Sequence, residues 1–144
     1  MSLFAAISVG ASGMAAQRAR AEVLVENLAN AETTRTPEGG PYQRKDVVFE
    51  SSEITSPFSS VFDSQVDAVN GVGISDIITD TSEPQRRYMP GHPDADANGY
   101  VAFPNVNPAE DTVDLMDTSR SYEANVAAIS AVKDMIERSL DLLH

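Results

Sequence analysis

The sequence predicts an α+β fold: long N- and C-terminal helices forming a coiled-coil-like pair, with a small antiparallel β module in the middle. Three observations carry this expectation. From Asn107 to His144 no Gly or Pro follows Pro108, and apolar residues recur at heptad spacing. A second run of the same kind opens the chain, from Leu3 to Leu28. Between the two, turn-forming residues separate short β-branched and aromatic runs. The chain therefore divides into an N-terminal helix at 1–30, a structured loop and β module at 31–106, and a C-terminal helix at 107–144.

Ser2 is a suitable cap for the first helix, whose predicted seam is Leu3, Ile7, Ala11, Met14, Arg18, Ala21, Val25 and Leu28. Gly10 and Gly13 each cost about 1 kcal/mol relative to Ala in a helix. With Ala6 and Ala16 they either make a smooth face on which another backbone lies close, or mark a kink or frayed turn. Asn27 and Asn30 suit a helix C-terminus because they tolerate a left-handed conformation. Residues 31–45 mix breakers with β-branched residues and predict a structured loop with a turn at Gly39-Gly40-Pro41. Strands are expected over Tyr42–Glu50, Val69–Thr81 (Val72, Ile74 and Ile77 inward), Gln85–Met89 and Tyr100–Phe103. The Ser-rich stretch 51–68 reads as a variable loop.

In the last helix Asn107 suits the N-cap and Pro108 the first position, where its missing N–H is not needed; Glu110 at the third completes a capping box. Its predicted seam combines Leu115, Tyr122, Ile129, Ile136 and Leu143 with Thr112, Ser119, Val126, Lys133 and Leu140. Roughly 35 residues at about 1.5 Å each give a rod of about 50 Å, longer than a small domain is wide. So narrow a seam demands another helix. Two seams alone offset little of the backbone entropy of ordering so many residues, so in the free subunit these ends are expected to be partly disordered and to become helical when several subunits pack together.

A net charge of −12 argues against nucleic acid as a partner, since a phosphate-binding surface needs clustered Lys and Arg. The nearest basic pairs are Arg44-Lys45 and Arg86-Arg87. The absence of cysteine excludes disulfides and thiolate chemistry. No stretch approaches the roughly 18 apolar residues of a membrane span, so no direct membrane insertion is expected. The first basic residue is Arg18, which leaves no signal-peptide n-region and implies export by another route, if the protein is exported.

The sharpest chemical candidate is Gly91-His92-Pro93-Asp94-Ala95-Asp96-Ala97-Asn98-Gly99, which matches the first half of a calcium-loop pattern. The second half fails, because Asn105 stands where a bidentate Glu is needed. A solvated turn built on short Asx side chains is the expected reading, with no metal and no cofactor. With only His92 and His144 in the chain, no nucleophile–base arrangement can be proposed, and an enzyme is not expected. Two alternatives stay open on these residues: a secreted coiled-coil adaptor that binds one partner helix, and a small metal-dependent hydrolase using His92, Asp94 and Asp96.

Five stretches carry a resemblance that spacing could not supply: 11–18 (ASGMAAQR), 26–45 (ENLANAETTRTPEGGPYQRK), 91–96 (GHPDAD), 99–107 (GYVAFPNVN) and 119–126 (SRSYEANV). They resemble the flagellar rod and hook axial protein family. The Asn-Leu-Ala-Asn-Ala core at 27–31 is similar to the whole class, and the Thr-Pro-Glu-Gly-Gly-Pro-Tyr run at 36–42 to its proximal-rod members. The resemblance implies a non-enzymatic building block of the basal-body rod in the periplasmic space, exported through the flagellar type III apparatus without a cleaved signal. Implied partners are other rod subunits and further copies of itself. The implied subunit-interface residues are Ile7, Met14, Ala21, Val25, Leu28, Leu115, Tyr122, Val126, Ile129, Ile136, Leu140 and Leu143 on the helices. In the loop they are Asn27, Asn30, Thr33, Thr34, Arg35, Gly39, Gly40, Pro41 and Tyr42.

Overall fold

A computed structural model of the chain describes residues 3–53 and 70–141. Ser2, Leu143 and residues 54–68 of the Ser-rich stretch lie outside the described residues. Helix α1 spans Leu3–Ala29 without a break. Strands β1 (Lys45–Glu53) and β2 (Asn70–Thr79) form one antiparallel hairpin, β3 (Gln85–Tyr88) and β4 (Tyr100–Phe103) a second, and helix α2 spans Pro108–Asp141. The α+β class is as expected, with the strands in two two-stranded sheets.

Local chemistry sets the ends of these elements. Asn107 caps α2: its Oδ1 accepts the Ala109 N–H (3.2 Å) and its carbonyl accepts the Asp111 N–H (3.0 Å). At the end of α1 the Asn30 N–H reaches the Glu26 and Asn27 carbonyls, and the Asn30 side chain donates to Glu26 O (2.9 Å). The first strand starts three residues later than the β-branched run suggests, because the Tyr42 N–H is used by Thr33 O (3.0 Å) in the loop. In β2 the register against β1 shifts between Val48 and Phe49, leaving Ser75 as a bulge. The bulge keeps Val72, Ile74 and Ile77 on the face of Val47 and Phe49. These three are not inward as expected: they are 39%, 42% and 47% exposed, since a two-stranded ribbon has no second layer to cover them.

The helices run antiparallel, Gly10 beside Ile129, Gly13 beside Asn125, and Arg20 Nη2 3.8 Å from Asp114 Oδ2. A β-carbon on Gly10 would come 2.8 Å from Ile129 Cγ1, and one on Gly13 3.0 Å from Asn125 Nδ2. The two glycines thus serve close approach, and the unbroken α1 disposes of a kink.

The packed faces differ from the predicted seams by one step of the helix. On α2, Leu115, Ile129 and Ile136 face inward as expected, but Tyr122 of the same row is 41% exposed, and the alternate positions are Asp111, Thr118, Asn125 and Val132. Thr112, Ser119, Val126, Lys133 and Leu140 are exposed instead. On α1 the buried residues are Ala16, Val23, Leu24 and Asn27, while Leu3, Ala11, Arg18 and Val25 are exposed. The cause is steric and polar: the closest contact uses glycine and alanine, and its inner end uses buried Asn27, Asp111 and Thr118, none of which an apolar count registers. Ser12 turns a further face of α1 to the first hairpin, its Oγ accepting the Val72 N–H (3.1 Å).

Gly10→Val is expected to destabilise the chain by about 1–3 kcal/mol in denaturant unfolding, from overpacking against Ile129. Adding Ile129→Ala should recover part of that loss, and additive single effects would contradict the contact.

Candidate functional site

Two features stand out: the junction where the helix pair meets the β hairpins, and the helix surfaces left uncovered. At the junction Asn27 is fully buried. Its Nδ2 donates to Lys45 O (2.8 Å), while Oδ1 accepts the Lys45 N–H (3.0 Å) and the Tyr42 hydroxyl (2.9 Å). One amide thereby holds both backbone groups of the first residue of β1. Tyr42 lies beneath this contact, 8% exposed, and its hydroxyl pKa is pushed up from 10.0 to about 12, first by burial and then by the Glu26 and Asp111 carboxylates. Lys45 Nζ closes the outer side on Glu26 Oε1 (2.6 Å).

A second polar lock ties α2 to the same strand. Asp111 is 0% exposed and sits 3.1 Å from Arg44 Nη2. Burial raises its carboxyl pKa, Arg44 opposes this, and Asp114, Asp46 and Glu110 add to the rise. The fully buried Val101, with Phe103 and Val106, makes the apolar floor of the second hairpin, and the Arg87 guanidinium lies 4.7 Å from the Phe103 ring centroid.

The loop between α1 and β1 is fully structured. The Thr33 hydroxyl donates to Asn30 Oδ1 (3.2 Å), the Thr36 N–H donates to Gly40 O (2.9 Å), and Gly39 and Gly40 take φ of 94° and 78°, open to glycine without strain. Thr34 reaches across to the β3–β4 turn, its hydroxyl donating to Asp94 Oδ2 (2.9 Å), with Arg35 Nη1 3.8 Å from Asp94 Oδ1. Asp96 serves its own turn: Oδ1 accepts the Asn98 (2.8 Å) and Tyr100 (2.9 Å) N–H groups. The two carboxylates of the calcium-like stretch are thus committed to separate structural bonds. Among the described residues, no group of three or more His, Asp or Glu could hold a metal ion, and no helix is long and apolar enough to cross a membrane.

Of the predicted site residues, the structure brings together Asn27, Asn30, Thr33 and Tyr42. Thr34 and Arg35 point to the second hairpin, and Gly39 and Gly40 form an exposed tip. Sequence reasoning missed Arg44 and Asp111 and read Asp94 only as a turn or metal-ligand candidate; all three are charged partners that join loop, helix and hairpin.

The uncovered surfaces carry large apolar side chains among their charges. On α2, Val113 (56%), Met116 (53%), Met135 (50%) and Leu140 (56%) stand open, as does Val25 (51%) on α1. Terminal helices paired through glycine, carrying exposed apolar side chains and fastened to β hairpins by polar bonds, define the class: a helix-pair protein with a small β module.

Comparison with known proteins specifies which one. Residues 7–35 match the family described as "Flagella basal body rod protein", and residues 97–142 that described as "Flagellar basal body rod FlgEFG protein C-terminal". The chain is 43% identical to the flagellar basal-body rod protein FlgC of Bacillus subtilis (strain 168), covering 99% of each chain. It is 39% identical to that of Borreliella burgdorferi over 100% of this chain and 99% of the relative, and 37% to that of Salmonella typhimurium over 99% and 98%. The chain belongs to the FlgC family of flagellar basal-body rod proteins. It is a structural, non-enzymatic subunit of the rod, and as such it assembles with other rod subunits.

Asn27→Ala would leave the Lys45 N–H and C=O and the Tyr42 hydroxyl without partners, at a cost of about 2–4 kcal/mol read from denaturant midpoints. The Tyr42 hydroxyl has a raised folded pKa, so its contribution is fully present below pH 10.0 and lost as pH rises through about 12. Tyr42→Phe should flatten the stability profile in that window, and an unchanged alkaline slope would show that Tyr42 is not the group responsible.

Proposed function

We propose that the subunit polymerises through the faces of α1 and α2 that the single chain leaves open. Residues 1–30 and 107–144 form an inner helical layer, and residues 31–106 form an outer module. The burial gradient along the pair supports this most directly. Every buried residue on the described helices (Ala16, Val23, Leu24, Asn27, Asp111 and Thr118) lies at the end near the β hairpins. Over the described residues of 3–15 and 119–141 nothing is buried, and Leu3, Tyr122, Val126, Met135 and Leu140 stand exposed along that end. An apolar surface of that extent on a small protein marks an interaction surface.

On α1, Val25 is exposed and Ile7, Met14, Ala21 and Leu28 are half-buried. On α2, Val126 and Leu140 flank the packed face. Neighbouring copies and other rod subunits cover these side chains, while the Arg35, Gly39, Gly40 and Pro41 tip touches the adjacent subunit. The protein travels through the flagellar type III export apparatus without a cleaved signal and assembles across the periplasmic space.

Val113→Asp with Met135→Asp changes two exposed positions, so unfolding free energy should move by no more than about 0.5 kcal/mol per site. In a flagellated host lacking its own copy, this variant should be exported at full length yet build no rod and restore no motility. Motile cells with intact rods would overturn the helix-face reading, and a shortened exported chain would overturn the export route.

A further inference from the structure

The outer face of the second hairpin differs from the rest of this acidic chain. Register places Tyr88 opposite Tyr100 and Arg86 opposite Ala102. Strand alternation therefore puts these four on one face, and buried Val101 and Phe103 on the other. The two tyrosine rings meet edge to face at 5.4 Å and remain 65% and 43% exposed. Among the described residues no carboxylate lies within ion-pair distance of Arg86. Asp96, whose pKa Arg86 helps to lower, is already held by the Asn98 and Tyr100 N–H groups. Exposed Tyr beside Arg is the side-chain chemistry that dominates protein–protein hot spots.

The first hairpin presents the opposite chemistry. Asp46 stands opposite Ile78 and Val48 opposite Asp76, with Glu50 two residues further along β1. These five share a face and all are exposed, Val48 at 37% and Ile78 at 51%. Among the described residues, only Asp46 of the three carboxylates has a cation within ion-pair distance, Arg44 at 3.7 Å. The face is two apolar side chains framed by carboxylates, the complement of two aromatic rings beside a guanidinium.

We propose that the Arg86, Tyr88 and Tyr100 face of one subunit docks on the Asp46, Glu50 and Asp76 face of a second copy, the rings seated on Val48 and Ile78. Either patch turned on its own copy would set like charges together, so the contact joins unlike patches. A contact between unlike patches does not have to close at two copies; it passes from subunit to subunit. It uses none of the helix faces, and goes beyond the helical packing proposed above.

Sedimentation velocity on the full chain tests it. The wild type should grow beyond a dimer with concentration, less so at high salt. Arg86→Ala with Tyr88→Ala, and separately Glu50→Lys with Asp76→Lys, should each weaken this association by about tenfold or more. Mixed together, the two variants should form a one-to-one pair that grows no further, since each keeps one intact patch. Circular dichroism checks that both are folded, and Arg86→Glu alone replaces the first should Tyr88 prove necessary for folding. Variants that associate like the wild type, a wild type that stays monomeric, or a mixture that does not pair would each overturn the proposal. Val113→Asp with Met135→Asp should keep this contact, so failure of the helix faces and failure of the hairpin contact read out separately.

Discussion

The structure depends on one side-chain amide. Asn27 ends its work as a helix residue and begins as a template for a strand, giving Lys45 the donor and acceptor that a neighbouring strand would otherwise supply. Because Asn27 is fully buried, those bonds are made where water cannot compete, and their loss would strand three polar groups. Tyr42 under it and the Arg44–Asp111 pair beside it extend the same logic to the loop and to α2. The α1–loop–β1 corner, the start of α2 and the first hairpin are thereby a single polar assembly with little apolar core.

That arrangement explains the distribution of rigidity. Polar bonds with defined geometry concentrate at one end of the helix pair. The other end is held by a small-residue contact in which Gly10 and Gly13 admit Ile129 and Asn125 at close range. Outward from there the helices expose large apolar side chains instead of burying them. A rod subunit needs both properties: a fixed angle between its helical and β parts, and surfaces that are incomplete until neighbours arrive. The acidic charge fits the same picture, since carboxylates at turns and helix starts serve as local acceptors, as Asp94 and Asp96 do.

Much of the fold was legible because its signals are local. The Asn107-Pro108 start, the two long heptad runs and the Gly39-Gly40 turn depend on residues near one another in the chain, and the structure has helices and a positive-φ turn there. The faces were misread by one position because apolar spacing counts Val25 and Val126 but not Gly13, Asn27 or Asp111. The inward expectation for Val72, Ile74 and Ile77 failed for a related reason: alternation says which residues share a face, and only a covering layer says whether that face is buried.

The sequence by itself determined the element types, their order, the two-helix architecture and, through its family stretches, membership among rod proteins. These rest on short-range capping, periodicity and turn chemistry. The tertiary structure decided which stripe of each helix is spent within the chain and which is left open. It also decided that the family's Asn-Leu-Ala-Asn-Ala core acts by binding the backbone of Lys45. Those outcomes turn on close approach and on partly buried hydrogen bonds between residues 18 apart, energies that no local pattern records.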